Sequence, residues 1–279
     1  MAGLLSRFDI EDLLDRSCDE ALAALDGAPP EYIRSPFQAG FIRNFEGPSS
    51  TPDNRILFIN QHGEVRACFS LNVDGFSTEG DTRGPKKSSS IISMCCLNLD
   101  VELMSKPENV YLVGVIPGPK EPSTTELNNF VRFFIDVFVI SWHRGHHFSR
   151  SASSSTGRLV RSAITIVVND LPAARRLAQA AGASSCWICT ICQLFGKHNA
   201  SATNYSDWQK RDVSELQKQA YEWKDAKDTK AREEVFEHTG MRWSEMWRLP
   251  YWDMTRQLVP EPMHTLYLNL TKHFMRDVL

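Results

Sequence analysis

The sequence predicts an α/β protein (α+β in layout) built on a mixed sheet, and three patterns carry that prediction. Apolar residues alternate over Val65, Ala67, Phe69, Leu71 and Val73, the period of a strand with one buried face. They recur at helical spacing over Leu127, Phe130, Val131, Phe134, Ile135 and Phe138. The run Ile164-Thr-Ile-Val-Val168 is β-branched without a break, as in a central strand covered on both sides. Two strand-like segments also end on an acid, Asp74 after Leu71-Asn-Val and Asp170 after Val168-Asn.

Taken in order, residues 6–26 form a helical stripe of Phe8, Ile10, Leu13, Leu14, Cys18, Ala21, Leu22 and Leu25, ended by Ala28-Pro-Pro30. Residues 31–55, rich in Pro, Gly, Ser and Asn, read as an irregular connector. Ile56–Ile59, a turn over Asn60–Gly63 and the alternating run to Val73 suggest a hairpin, with Asp74 on the parity opposite to its apolar face. Ser88–Leu99 and Asn109–Ile116 supply two further strands, the second stopped by Pro117-Gly-Pro119. Ser123 and Glu126 are spaced as a capping box for the helix that follows. Arg158–Val168 is the next strand, and the Ala-rich stretch Leu171–Ala181 is a helix ended by Gly182. Asp207–Arg248 is charged, Trp-rich and helical, without a strand signal. The expected organisation is a helix and connector over 1–54, an α/β core over 55–195 and a helical region over 196–279.

Strand, strand, strand, helix, strand, helix is the element order of RNase H-like nuclease and integrase folds, in which the first and fourth strands lie side by side. Such a fold would bring Asp74 and Asp170 together. Two metal ions ~3.5–4 Å apart need anionic ligands between them, and they serve both the attacking and the leaving oxygen of an in-line displacement. Magnesium, or manganese, is the cation that such a hard oxygen set suits. Each acid also has a plainer reading, Asp74 as turn chemistry beside Gly75 and Asp170 as the start of a helix.

Cys186-x-x-Cys189-x-x-Cys192 is the most specific local feature. Thiolates two residues apart can share a zinc ion, with His198 closing the site locally or distant histidines closing it around Cys189 and Cys192. An iron–sulfur centre, a redox pair and three inert buried thiols are the alternatives. His143, His146 and His147 with Arg144 and Arg150 read as a solvated basic loop, as do Arg83, Lys86 and Lys87, with phosphate contact the minor reading. The tryptophans at 208, 223, 243, 247 and 252 have spacings that suit core packing better than base stacking.

At 279 residues and a formal net charge of −3, the chain can bury a sizeable core but has no overall basic signature for nucleic acid. The first residues turn acidic too early for a secretory signal, and the apolar stretch from Phe130 to Trp142 is too short and too interrupted to span a membrane. Seven cysteines are then expected as thiols or metal ligands, not disulfides.

The stretches Val73-Asp-Gly-Phe76, Asn109 to Pro122, Val168-Asn-Asp-Leu-Pro-Ala173, Cys189-Thr-Ile-Cys192, Leu249-Pro-Tyr-Trp-Asp253 and Pro262-Met-His264 closely resemble CACTA (En/Spm-type) DNA transposases of the basidiomycete type, in the family's order from Phe69 to Leu279. The resemblance implies an RNase H-like core that uses two aspartates and a glutamate with magnesium to cut and join element ends. On matching positions Asp74 is the first acid and Asp170 the second. Cys189 and Cys192 match a zinc-binding pair completed by histidines further on, among which His264 is available. The helical region after Cys192 resembles the start of the family's insertion domain. Transposon-end DNA is the implied partner, with a full-length transposase or a second copy as protein partners, and the nucleus is the implied location.

Two departures stand out. Glu261-Pro-Met-His264 replaces the family's Asp-x-Met-His, and the family's catalytic glutamate lies beyond the insertion, which this sequence does not reach. Glu261 is a weak substitute for that third acid. The expectation is therefore a truncated transposase of impaired activity. The competing expectation is a non-catalytic, zinc-stabilised remnant that binds DNA or protein.

Overall fold

The computed structural model describes residues 1–25, 31–48, 58, 63–77, 88–182 and 184–278. The chain divides into two compact units: Met1–Leu71, Ser93–Val113 and Asp136–Thr165 in one, Asn72–Ile92, Gly114–Ile135 and Ile166–Leu279 in the other.

Helices α1 (Ala2–Leu5), α2 (Phe8–Leu25) and α3 (Gly40–Arg43) precede the first strand, β1 (Val65–Ser77). Strand β2 (Ser88–Cys96), a single turn α4 (Val101–Met104), β3 (Val110–Ile116) and α5 (Leu127–His143) follow. Then come β4 (His146–Phe148), β5 (Arg158–Asn169) and α6 (Leu171–Leu177). Helices α7 (Val213–Asp225), α8 (Thr229–Thr239) and α9 (Met254–Gln257) lead to β6 (Leu258–Pro260), and wide π-type turns run from Met263. The fold class is mixed α/β around one mixed sheet. Its strand order is β3-β2-β1-β5-β4, with β6 also pairing β5.

The alternating pattern of β1 is realised: Val65, Ala67, Phe69, Leu71 and Val73 are buried, whereas Asp74 is exposed. Strand β5 is buried without interruption from Ser162 to Thr165, but the β-branched run expected to be covered on both faces is so only in part: Ile164, Thr165 and Val167 are buried, whereas Ile166 and Val168 are half-buried. The Ser123–Glu126 capping box also forms, with the Ser123 amide donating to the Glu126 carboxylate at 2.8 Å and the Glu126 amide to the Ser123 hydroxyl at 3.3 Å. Regular helix starts at Leu127.

In the first unit, α2 is fastened by buried polar groups. Glu11, 1 % exposed, accepts from the Ser153 amide at 2.8 Å, the Ser153 hydroxyl at 2.7 Å and Arg158 Nη1 at 3.2 Å. Arg158 also grips Asp15 with two 2.8 Å bonds, a fork that matches carboxylate geometry. Asn98 bonds the Cys68 amide, the Arg66 carbonyl and the Ser17 hydroxyl, so a buried carboxamide joins strand to helix. Phe58 stacks on Trp142 at 5.2 Å; the rest of the predicted Ile56–Ile59 strand lies outside the described residues, as do Ala28-Pro-Pro30, Arg83, Lys86 and Lys87.

The second unit buries Trp243, Trp247 and Trp252 with Met241, Met246, Leu249 and Met254, whereas Trp208 and Trp223 are half-buried, so core packing holds for three of the five tryptophans. Ser244 Oγ donates to the Leu177 carbonyl at 2.7 Å, and the Asn128 carboxamide bonds the Trp243 carbonyl and the Glu245 amide.

Four local expectations need correction. Asp74 does not end its strand beside a turn at Gly75: β1 runs on through both residues to Ser77, and Asp74 takes an exposed position within it. His146 and His147 are not in a loop: they open β4, antiparallel to β5 with His146 opposite Val160. Three residues are too few for a periodic signal. Helix α6 ends at Leu177, four residues early, because Gln179 takes a positive φ of 59° and Ala180 pairs across to Met241. The region after residue 196 is not purely helical: β6 lies parallel to β5, with Leu258 opposite Val167 and Val259 opposite Val168.

Candidate functional site

Two positions in the second unit gather the chemistry-bearing side chains. At the first, β1 and β5 are pinned together just before their acids. Asn72 Nδ2 donates to the Val168 carbonyl at 2.7 Å. The Asn169 carboxamide accepts from the Val73 amide at 3.3 Å and donates to the Val73 carbonyl at 2.9 Å. The next residues are Asp74 and Asp170, and both line one cavity of about 180 Å³. Asp170 is also the N-cap of α6, its Oδ1 accepting the Ala173 amide at 2.8 Å. Its helix-start role is thus real, and it coexists with the cavity position.

Glu121, Ser90 and Arg176 line the same cavity. Sequence reasoning missed Glu121 and Arg176. Glu121 arrives on the proline-rich turn after β3, held by Ser88 N–H donating to the Pro119 carbonyl at 3.0 Å and Gly118 N–H to Ser89 Oγ at 3.2 Å. A Cβ on Gly118 would lie 2.5 Å from the Ser88 carbonyl oxygen, so only glycine lets this turn pass so close to β2. Glu121 accepts from Ser88 Oγ at 3.1 Å and pairs with Arg176, whose second nitrogen donates to the Pro122 carbonyl at 2.6 Å. Arg176 sits six residues after Asp170, on α6. The available signal was the acid inside the Asn109–Pro122 motif, which carried the family resemblance without a role being given to Glu121.

Three carboxylates against one guanidinium leave the cavity negative, with hard oxygen donors of the kind magnesium takes. The donor chemistry fits. Among the described residues, however, no group of three or more His, Cys, Asp or Glu side chains stands close enough to ligate one ion as placed. As placed, Glu121 is engaged by Arg176.

Glu261 lies elsewhere. Its amide donates to the Asn169 carbonyl at 3.0 Å, but it is not among the residues lining the cavity. Its carboxylate accepts from the Met263 and His264 amides and pairs with the His264 ring. The His264 amide and imidazole hold this carboxyl below the ordinary value for glutamate. Glu261 and His264 therefore satisfy each other.

The second position is the cysteine segment. Cys189 Sγ accepts from the Ile191 amide at 3.4 Å and the Cys192 amide at 3.2 Å. Burial and the neighbouring Cys189 push the Cys192 thiol up. Two neighbouring sulfurs are donors of the type zinc takes, but a closed site needs four ligands, and among the described residues no third His, Cys, Asp or Glu side chain joins them as placed. Cys189 and Cys192 are half-buried and Cys186 is exposed, which removes the reading of three inert buried thiols. The packing thiols are Cys18, Cys68 and Cys96; burial drives Cys68 up and Cys96 to about 12. His198 is exposed, its ring against Gly196, where a Cβ would meet Cε1 at 2.6 Å.

No helix among the described residues is long and apolar enough to cross a membrane. Comparison with models of known protein families and with curated proteins gave no match to this chain.

Proposed function

We propose that this chain carries the acidic site of a metal-dependent phosphodiester-cleaving and -joining enzyme, of the transposase type that its motifs resemble. The observation that carries the reading is the cavity shared by Asp74 within β1, Asp170 just after the adjoining strand β5, and Glu121 on the turn after β3. The strand order supports an RNase H-like core, since β1 and β5 are neighbours and the parallel strand β6 extends the sheet beyond β5.

In this reading Asp74 and Asp170 supply the fixed oxygen ligands, and Glu121 supplies the third carboxylate in place of Glu261. Magnesium bound there activates the attacking oxygen and stabilises the leaving one. Arg176, once parted from Glu121, presents a planar donor fork suited to a phosphate oxygen pair. The substrate is DNA at element ends, reached in the nucleus, with a second copy or a fuller transposase supplying the basic surface that a net charge of −3 does not.

The test is manganese titration by calorimetry alongside nicking of supercoiled plasmid. Binding in the wild type that is lost in Asp74→Asn and in Asp170→Asn supports the site. Equal affinity in all three proteins refutes it. Nicking that requires both residues extends the reading from binding to catalysis.

A second reading has its own support. Glu121 rests against Arg176, and the Cys189 sulfur already accepts two amides, an arrangement suited to a zinc-stabilised binding protein without turnover. Metal-dependent folding with blank nicking assays selects it.

A further inference from the structure

Helix α6 joins the two positions just described. It starts at Asp170, and its fifth residue, Arg175, reaches into the cysteine segment. Arg175 is 3 % exposed. Its Nη1 donates to the Ala181 carbonyl at 2.9 Å and the Trp187 carbonyl at 3.2 Å, and its Nη2 to the Ile188 carbonyl at 2.5 Å. Its Nε is buried with no hydrogen-bond partner among the described residues.

Carbonyl dipoles do not neutralise a buried guanidinium. A group that polar is retained where an anion offsets its charge. The carbonyls that Arg175 holds in the cysteine segment belong to Trp187 and Ile188, the two residues before Cys189, and burial lowers the guanidinium groups of Arg175 and Arg211 from their ordinary value. Arg211 approaches from the other side. It donates to the carbonyls of Cys189 at 3.5 Å and Thr239 at 3.3 Å, and covers the Trp187 ring at 4.9 Å. Trp187 in turn rests on Gly240, where a Cβ would stand 2.5 Å from the indole. The loop that bears Cys189 is thereby clamped by two cations, one of them rooted on the helix that Asp170 caps.

We propose that Arg175 is a positioning residue linking the thiolate loop to the acidic cavity, so that a soft divalent metal held by Cys189 and Cys192 fixes Asp170 and raises the cavity's affinity for a hard divalent cation. This rests on Cys189 and Cys192 forming a soft-metal site and on Asp74 and Asp170 forming the hard one. Both halves follow from ligand type: thiolates select cadmium or zinc, and carboxylates select manganese or magnesium. Outer-shell partners of metal ligands are worth about 10–100-fold in affinity when removed.

The full chain is titrated with manganese by calorimetry, once metal-free and once after one equivalent of cadmium, whose thiolate charge-transfer absorbance reports loading. The expected result is several-fold tighter manganese binding in the loaded protein. In Arg175→Met, cadmium affinity drops about 10–100-fold and loading no longer changes manganese affinity. Arg175→Lys, which keeps the charge but loses the fork, recovers cadmium affinity in part and the linkage little.

Equal manganese affinity in the loaded and metal-free wild type overturns the proposal and needs no variant, so a misfolded Arg175→Met does not shield it. Linkage that survives in a folded Arg175→Met overturns it as well. Absence of a cadmium–thiolate band in the wild type, with Cys189→Ser indistinguishable, instead removes the soft site; absence of manganese binding in any state removes the hard one.

Discussion

The Asn169 carboxamide exchanges two hydrogen bonds with the backbone of Val73, accepting its amide at 3.3 Å and donating to its carbonyl at 2.9 Å. One side chain thereby does what a ladder pair does, one residue before Asp74 on β1 and at the last residue of β5 before Asp170. Asn169→Ala leaves the buried Val73 amide and carbonyl without these partners. The expected loss is about 1–3 kcal/mol in urea denaturation. Manganese affinity should fall too, although Asn169 is not itself one of the cavity's lining residues.

Arg176 and Glu121 compete with any cation for the same carboxylate. Arg176→Gln frees Glu121 and is expected to strengthen manganese binding. The gain should be about two- to fivefold, because half-exposed ion pairs are worth only ~0.5–1 kcal/mol. Glu121→Gln should weaken it. Calorimetry that finds Arg176→Gln weaker than the wild type would assign the pair a purely structural part.

Glu11 makes stability depend on acid. Burial raises its pKa, but the Ser153 hydroxyl and amide, Ser151 and Arg158 outweigh that and hold the carboxyl below the ordinary value. A depressed carboxyl contributes stability that is present above its unfolded pKa and lost as pH falls through the folded one. Thermal melts should therefore drop as pH falls below about 4.5. Glu11→Gln should flatten that dependence and cost about 1–3 kcal/mol at neutral pH.

Trp247 is 3 % exposed in the core of the second unit. Trp247→Ala is expected to cost about 3–5 kcal/mol, measured as a shift in urea midpoint at unchanged slope. A loss near zero would mean that the helical region does not share that core.

Much of this was legible in the sequence, and the failures have physical causes. Long periodic segments such as Val65–Val73, Leu127–Phe138 and Arg158–Val168 announce themselves, because burying one face of a strand or helix dictates the order of residues along it. Asp74 and Asp170 were visible because each ends such a segment. Glu121 was not, since it lies in a turn whose prolines speak only of termination. Arg176 and Arg175 carry no local pattern either: the fold of α6 alone decides that adjacent arginines serve different clusters. Strands β4 and β6 are three residues each, too short for periodicity, and exist because β5 offers them an edge.

The parallel register of Leu258 with Val167 has a consequence for how the chain reaches its native state. A parallel neighbour cannot be delivered by a hairpin; here it arrives only after α6, the cysteine loop and the α7–α9 layer have run their course. Contacts so distant along the chain repay their loop-closure entropy late. Strand β6 should thus be among the last pieces to zip into the sheet, and amides of Val259 and its neighbours should gain protection in pulsed hydrogen exchange after those of the sequence-adjacent pair β1 and β2.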